Sequence, residues 1–185
     1  MGLTVRELCP NIPWYALTVR HQHEWQVEQL LQSQGWDTLV PSCRIKRQWS
    51  DRMKEIQLPL FAGYVLCKFP IEQKARVMNT PGIASVVSFA GAPAELDPRQ
   101  IADIQQAVAS GLPLHPWTSF KRGERVRVER GPLKGIEGTL LDEKDGLRLI
   151  VGIEMLQRAV SVELTADMLS SVPIPIREFQ QRNAL

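Results

Sequence analysis

The sequence predicts an α+β protein in two parts: an antiparallel sheet with packed helices and then, after a linker, a small β-barrel. Between residues 13 and 110, segments of strand and helix character alternate in the order β-α-β-β-α-β-α around the apolar stretch 59–69. Beyond residue 120 the pattern changes to short strands separated by turns, and Asp145-Gly146 is a strong hairpin signal. Strands this short and closely spaced favour a barrel, which closes and so removes its own edges.

The chain opens with a strand and a helix. Residues 14–19, WYALTV, are aromatic and β-branched and predict the first strand. Residues 24–34 carry apolar side chains at helical spacing, and Gly35 stands where a C-terminal cap is expected.

The central strand is predicted at 59–69, PLFAGYVLCKF, where a proline and a flexible Ala-Gly corner precede an apolar run. Residues 36–49 also have strand character, with Pro41 at an edge or a bend. The polar stretch 50–57 would connect these two strands, so we expect them to form a long antiparallel hairpin.

A short helix is predicted at 71–78, ending at the turn Asn79-Thr80-Pro81-Gly82. Residues 83–89, IASVVSF, predict a further strand, and residues 91–93 predict a turn. The second long helix should begin with Asp97 as N-cap and Pro98 at the first helical position, and run to residue 109.

Residues 110–119 hold prolines and a glycine without periodicity and predict a linker. The barrel strands are expected at 125–129, 135–142, 148–154, 158–164 and 169–172. The expected organisation is an N-terminal extension at 1–12, a sheet domain at 13–110, the linker at 111–119, the barrel domain at 120–173 and a tail at 174–185.

The composition is that of an ordinary globular protein. Of 185 residues, 44% are hydrophobic and 23% charged, and the net charge is +2, so the totals do not indicate a strongly basic nucleic-acid binder. The sequence has no run of about 18 apolar residues, which predicts no membrane span. The first residues, MGLTVRELCPNIP, lack the apolar segment of a signal peptide, so we expect a cytoplasmic protein.

Patterns of catalysis and metal binding are missing from the sequence. Cys9, Cys43 and Cys67 are far apart and form no CxxC pair, so we expect reduced, mostly buried thiols. The three histidines accompany no nucleophile elbow, phosphate loop or metal-ligand spacing. We therefore expect neither enzyme activity nor a cofactor.

One segment is locally basic. We interpret it as a solvated hairpin tip in preference to a dedicated phosphate-binding site. Its cations, against the single acid Asp51, are Arg44, Lys46, Arg47, Arg52 and Lys54.

Four segments in order resemble bacterial NusG-type transcription elongation factors, and the resemblance covers residues 13–172. They are WYALTVR, PLFAGYVLCKF, NTPGIASVV and, after the linker, FKRGERVRVERGPLKGIEGTL. The resemblance implies a NusG N-terminal (NGN) domain followed by an SH3-like KOW barrel. It also implies a monomeric accessory factor that binds RNA polymerase, with no membrane partner.

The family docks an apolar patch of its N-terminal domain on the clamp helices of the largest polymerase subunit. Carried over to this sequence, the patch comprises Trp14, Tyr15, Phe61 and Tyr64, and we expect Phe61 and Tyr64 to be the more exposed pair. Aromatic side chains dominate interface energetics, which agrees with this role. The alternative is that the four are core residues.

The resemblance also implies contact with the non-template DNA strand of the transcription bubble. The matching positions are Arg20 and His21 after the first strand, and Asn79 and Thr80 in the turn, with Arg76 as an adjacent cation. A polar turn beside a cation can bind base edges and phosphate. The alternative is that Asn-Thr-Pro-Gly is simply a good turn sequence.

In the KOW domain, the family binds a ribosomal protein or the termination factor Rho. The matching positions are Leu133, Ile136, Met155, Leu156 and Arg158. Leu156 stands where an aromatic residue is usual and Gln157 where glycine is usual, so the choice of partner is open.

These departures, with Phe61-Ala62-Gly63 in place of Phe-Pro-Gly, resemble the specialised antitermination paralogues of the UpxY type. The RfaH paralogue has a C-terminal domain that refolds between helices and a barrel. Here Gly146, Gly152 and many β-branched residues disfavour helix, so we expect a stable barrel.

The first hypothesis is thus a transcription elongation or antitermination factor that suppresses pausing or termination. The alternative is a KOW-containing RNA- or ribosome-binding protein that acts in translation, its basic residues contacting RNA backbone. The N-terminal domain separates the two, because a ribosomal protein does not need the Trp14-Tyr15 strand, the central aromatic strand and Asn79-Thr80 together.

Overall fold

The computed structural model describes residues 12–49, 52–117, 124–143, 146–153, 156–164 and 168. It is a mixed α+β structure with antiparallel sheets and few helices, which confirms the predicted fold class. The predicted N-terminal extension, the last predicted strand at 169–172 and the tail lie outside the described residues.

The N-terminal sheet has the strand order β2-β5-β1-β6, and β9 also pairs with β1. All these pairings are antiparallel. The strands are β1 (Trp14–Val19), β2 (Asp37–Leu39), β5 (Tyr64–Lys68), β6 (Ile83–Val86) and β9 (Glu95–Leu96). The predicted first strand is confirmed, the predicted central strand is confirmed over Tyr64–Lys68, and the two are neighbours in one sheet.

Three α-helices lie where the sequence predicts them: α1 (Glu24–Ser33), α2 (Lys74–Met78, after a 3-10 turn at Ile71–Gln73) and α3 (Pro98–Ala109). Asp97 caps α3 as predicted, because its carboxylate accepts a hydrogen bond of 2.8 Å from the Arg99 amide. After α1, Gly35 adopts a φ of 88°, the left-handed conformation that favours glycine at a helix end.

The predicted antiparallel pairing of residues 36–49 with the central strand is confirmed for β2, which pairs with β5, but not for the rest of that segment. β3 (Ser42–Trp49) pairs along its length with β4 (Arg52–Pro59), so most of the polar stretch predicted as a connection is itself a strand. Most side chains of β4 are exposed, so its sequence lacks the apolar alternation that would have indicated a strand. Pro41 lies at the break between β2 and β3, as expected.

The strand predicted at 83–89 is divided. It ends as β6 at Val86, and Ser88–Phe89 (β7) instead pairs with Ala92–Pro93 (β8), part of the predicted turn. The turn lies one residue earlier, at Ala90 and Gly91, which have φ of 49° and 83°. Two consecutive positive φ values are typical of tight hairpin turns.

The C-terminal sheet has the order β10-β14-β13-β12-β11 and is antiparallel throughout. Its strands are β10 (Leu114–Trp117), β11 (Glu124–Arg127), β12 (Glu137–Glu143), β13 (Gly146–Ile153) and β14 (Arg158–Leu164). Part of the segment predicted as a linker therefore forms a strand, β10, which pairs with the edge of β14.

The N-terminal sheet divides its apolar residues between two faces. Tyr15 and Leu17 of β1 pack with α1 and α2 residues in one cluster, whereas Trp14 and Ala16 belong to a second cluster. The division follows from the two-residue period of a strand.

The second cluster continues from the N-terminal sheet through α3 into the core of the C-terminal sheet. The Gln106 side chain of α3 donates hydrogen bonds to the carbonyl oxygens of Pro132 (3.1 Å) and Lys134 (3.0 Å). The two sheets are therefore docked against each other, with α3 between them. None of the described helices is long and apolar enough to cross a membrane.

Candidate functional site

The four aromatic residues expected to form a docking patch separate into two pairs. Trp14 and Tyr64 are half-buried on one face of the N-terminal sheet, where Trp14 pairs with Lys68 and Tyr64 with Thr18. Tyr15 is only 2% exposed and Phe61 only 1%. The expectation that Phe61 and Tyr64 would be the more exposed pair is wrong for Phe61.

Phe61 is buried because the chain turns sharply there. The Tyr64 amide donates to the Phe61 carbonyl oxygen at 3.1 Å, which closes a turn and keeps the Phe61 ring in the core cluster. Tyr15 points to the opposite face of the sheet, where its ring lies 4.7 Å from that of Phe69. The core alternative therefore holds for Phe61 and Tyr15 in this docked structure.

Tyr15 also contacts a carboxylate at the sheet edge. Its hydroxyl donates to Glu95 at 3.3 Å. Burial, followed by the negative charge of Glu95, raises the pKa of Tyr15. The phenol therefore stays protonated and serves as a structural donor.

The corner before Tyr64 is held by helix α1. Glu24 is almost fully buried, and its carboxylate accepts a hydrogen bond of 2.7 Å from the Gly63 amide. The Gly63 carbonyl oxygen accepts from the Val19 amide at 2.9 Å. Gly63 has a φ of 82°, which few other residues adopt. These contacts fix where β5 begins and so position the Tyr64 ring.

Arg158 of the C-terminal sheet partly covers the half-buried ring of Tyr64. The guanidinium carbon of Arg158, on β14, lies 5.8 Å from the centre of the Tyr64 ring. Arg158 is half-buried, and its buried Nε atom has no hydrogen-bond partner among the described residues. The surfaces expected to bind polymerase and to bind a second partner thus meet in one contact.

The other residues expected at the KOW partner site are mostly interior. Leu133 and Ile136 are fully buried and Leu156 nearly so, while Met155 lies outside the described residues. The Ile136 amide donates to the Leu133 carbonyl oxygen at 3.1 Å, a turn that directs both side chains into the core. In this docked structure, the expectation that these three residues present a binding surface is wrong.

The residues expected at DNA lie on two adjacent loops. The Arg20 amide donates to the Gly82 carbonyl oxygen at 2.9 Å, which joins the end of β1 to the turn before β6. Arg20, His21 and Asn79 are exposed. The structure therefore brings a cation, an imidazole and an amide side chain to one end of the N-terminal sheet.

Two of the expected DNA contacts have structural partners instead. Thr80 is 2% exposed and its hydroxyl accepts a hydrogen bond of 3.1 Å from Gln34, so in this structure its side chain supports the turn and cannot reach a base. Arg76 is exposed, but its guanidinium carbon lies 5.4 Å from the centre of the Trp36 ring.

Glycine is required in that turn for two reasons. Gly82 has a φ of 99°, and a Cβ atom there would lie 2.8 Å from a methyl carbon of Val27 on α1. Because glycine has no Cβ atom, the turn can pack directly against α1.

Sequence reasoning missed the residues that position these loops. Glu24 and Gln34, at the two ends of α1, hold the corner before Tyr64 and the turn at Thr80. A glutamate in the first turn is usual for a helix and gave no signal of this role.

A cleft of about 640 Å³ lies between α3 and the C-terminal sheet. Asp103 of α3 and Glu137 of β12 line it, and Arg127 pairs with Glu137. Burial, then the charges of Glu137 and Asp97, raises the pKa of Asp103. The cleft is therefore lined by two carboxylates, Asp103 on α3 and Glu137 on the C-terminal sheet, whose negative charges repel each other.

The described residues contain no group of three His, Cys, Asp or Glu side chains that could hold a metal ion. Cys43 and Cys67 are buried free thiols. Burial raises the pKa of Cys67 to about 12, so this thiol stays protonated and unreactive.

Comparison with known proteins identifies relatives across most of the chain. Residues 13–105 match the family model described as transcription termination factor NusG. A transcription termination/antitermination protein NusG of Lactococcus lactis is 29% identical over 138 residues, which covers 72% of this chain and 74% of that protein. The protein of that name from Haemophilus influenzae is 28% identical over 157 residues, covering 80% of this chain and 82% of the relative.

A solved structure of Thermotoga maritima NusG, titled for its domain interaction, aligns with a TM-score of 0.52 at 21% identity. The alignment covers 88% of this chain and 98% of that one. This likeness supports the fold. The family match spans half of the chain, including β1, the central strand and the Asn79–Gly82 turn that carried the resemblance. The chain belongs to the NusG family.

Proposed function

We propose that this protein is a bacterial transcription elongation and antitermination factor that binds RNA polymerase through the Trp14–Tyr64 face of its N-terminal sheet. The observation that carries the proposal is this aromatic face, positioned by the buried contact between Glu24 and Gly63. The fitting partner is the pair of clamp helices of the largest polymerase subunit. Membership of the NusG family and the names of the relatives support a role in transcription.

Non-template DNA would bind at the end of the sheet where Arg20, His21 and Asn79 lie together. These side chains offer one charged and two polar donors to phosphate and base edges. Thr80 acts indirectly, since its hydroxyl bonds Gln34 and holds the turn.

Binding to the polymerase requires the docked C-terminal sheet to move. Arg158 covers the Tyr64 ring, and the core cluster is continuous between the two sheets. A helix pair cannot reach Tyr64 while Arg158 lies over it. Once the sheets separate, Arg158 becomes available to a second partner of the C-terminal sheet, either a ribosomal protein or Rho.

The test is binding of the full chain to purified RNA polymerase core, with Tyr64→Ala as the variant and Phe89→Ala as the control. Phe89 is 73% exposed on the β7–β8 hairpin, so its loss should not change binding. Truncation of a central interface aromatic typically weakens binding by about 2 kcal/mol or more, roughly thirtyfold.

Equal binding by the Tyr64→Ala and wild-type chains would place the polymerase contact elsewhere. If no chain bound polymerase but the full chain bound ribosomes or RNA, the translation alternative would replace the proposal. The DNA contacts are tested separately from polymerase binding, by elongation assays with Arg20→Ala and Asn79→Ala chains.

A further inference from the structure

Strand β10 comes from the connection between the two sheets and occupies one edge of β14. Its four residues pair antiparallel with β14, from Leu114 opposite Val162 to Trp117 opposite Ala159. The other edge of β14 is paired with β13 along all 7 of its residues. β10 therefore covers only part of an edge that could accept a longer strand.

Two side chains anchor β10 to the C-terminal sheet, while His115 and Pro116 between them are exposed. Leu114 is buried in the large core cluster, and proline within a strand is typical of a sheet edge. On the outer face, Trp117 packs against Leu141, Ile150 and Ala159.

Opposite the second residue of β10, one buried polar group of β14 lacks a hydrogen bond. His115 lies opposite Ser161, and directly opposite residues share one face of a sheet. Ser161 is 1% exposed, and its hydroxyl has no hydrogen-bond partner among the described residues. A buried hydroxyl without a partner is costly, so an occupant that could bond Ser161 would fit this edge better than β10.

We propose that the β14 edge is a binding site for an extended peptide segment of a partner protein, and that β10 occupies it internally until the partner replaces it. The fitting segment runs antiparallel to β14 and carries bulky apolar side chains at the positions of Leu114 and Trp117. Opposite Ser161 it carries a hydroxyl or amide side chain. Backbone hydrogen bonds supply affinity in such strand addition, and the side-chain sites supply specificity.

Replacement of β10 also changes how far the two sheets can separate. With β10 in place, residues 110–113 alone join α3 to the C-terminal sheet, a reach of about 13 Å when extended. With β10 released, residues 110–123 join α3 to β11, a reach of about 46 Å. A partner at this edge therefore lengthens the tether and lets the C-terminal sheet leave the face that carries Tyr64.

The test uses labelled peptides with the sequence of residues 112–118, one native and one with His115→Thr, titrated into the full chain by fluorescence anisotropy. We expect the His115→Thr peptide to bind about fivefold more tightly, as one added hydrogen bond allows. In a Trp117→Ser chain the internal strand is weakened, so both peptides should bind at least about tenfold more tightly. A Phe89→Ser chain is the matched control and should behave as wild type.

A chain with His115→Cys and Ser161→Cys locks β10 in place by a disulfide between opposite residues. This chain should bind neither peptide until it is reduced. Two results overturn the proposal: a locked chain that binds as well as the reduced one, or no binding to wild-type chain up to a few millimolar peptide, the order of a short tether's effective concentration. The comparison of locked and reduced chains decides the question even if Trp117→Ser disturbs folding.

Discussion

The Arg158 guanidinium lies over the Tyr64 ring, 5.8 Å from its centre, and joins the C-terminal sheet to the N-terminal sheet. Tyr64 belongs to the face proposed to bind polymerase, and Arg158 to the surface proposed to bind a second partner. Binding of either partner therefore requires the contact between Arg158 and Tyr64 to break. Because binding linkage is reciprocal, whichever partner binds first should raise the affinity of the other.

Replacing Arg158 by alanine should weaken the docking of the two sheets. A partly desolvated cation–π contact contributes on the order of 0.5–2 kcal/mol, and Arg158→Lys should retain part of it. Amide hydrogen exchange of β5 residues would report the loosened interface. Arg130→Ala, at an exposed position, is the control. Unchanged exchange in the Arg158→Ala chain would show that the apolar cluster alone holds the sheets together.

Glu24→Ala should destabilise the N-terminal domain, because it leaves the Gly63 amide without its acceptor. The expected loss in free energy of unfolding is about 1–3 kcal/mol, measured by urea denaturation. Glu24→Gln keeps an acceptor and should lose less. Glu72→Ala removes an exposed carboxylate and should leave the unfolding midpoint unchanged. Equal midpoints for the two alanine chains would contradict a structural role for Glu24.

Gly82→Ala should be more destabilising than Gly91→Ala. Both glycines have positive φ, 99° and 83°, so alanine at either position adopts the left-handed conformation, which costs about 1–2 kcal/mol of folding free energy. Only at Gly82 would the new Cβ atom also meet Val27, at 2.8 Å, whereas Gly91 has open space. Thermal unfolding of the two variants isolates the contact with α1. The prediction fails if the two melting temperatures fall equally.

Stability should depend on pH through Asp103. Burial, Glu137 and Asp97 raise the pKa of this carboxyl above its ordinary 3.8, so the folded state favours the protonated form. The contribution of Asp103 is therefore full below pH 3.8 and is lost as pH rises through the raised value. Asp103→Asn should be more stable than wild type at neutral pH, with the difference vanishing in acid. Denaturation of both chains at several pH values, with Glu72→Gln as control, checks the sign.

The sequence by itself determined the local elements of this protein. Periodicity placed β1 and α1, and the Asp97-Pro98 pair placed the start of α3, because caps and proline act within a few residues. The same short-range patterns, ordered along the chain, carried the resemblance that the family match confirms.

The tertiary structure alone decided which residues are presented and which are covered. Phe61, Thr80 and Leu133 are buried because turns, Gln34 and the docked sheets enclose them, and Leu114–Trp117 is a strand because β14 has an open edge. These outcomes depend on contacts between residues far apart in the chain. No local periodicity encodes such contacts, since burial is a property of the neighbours that a folded chain brings together.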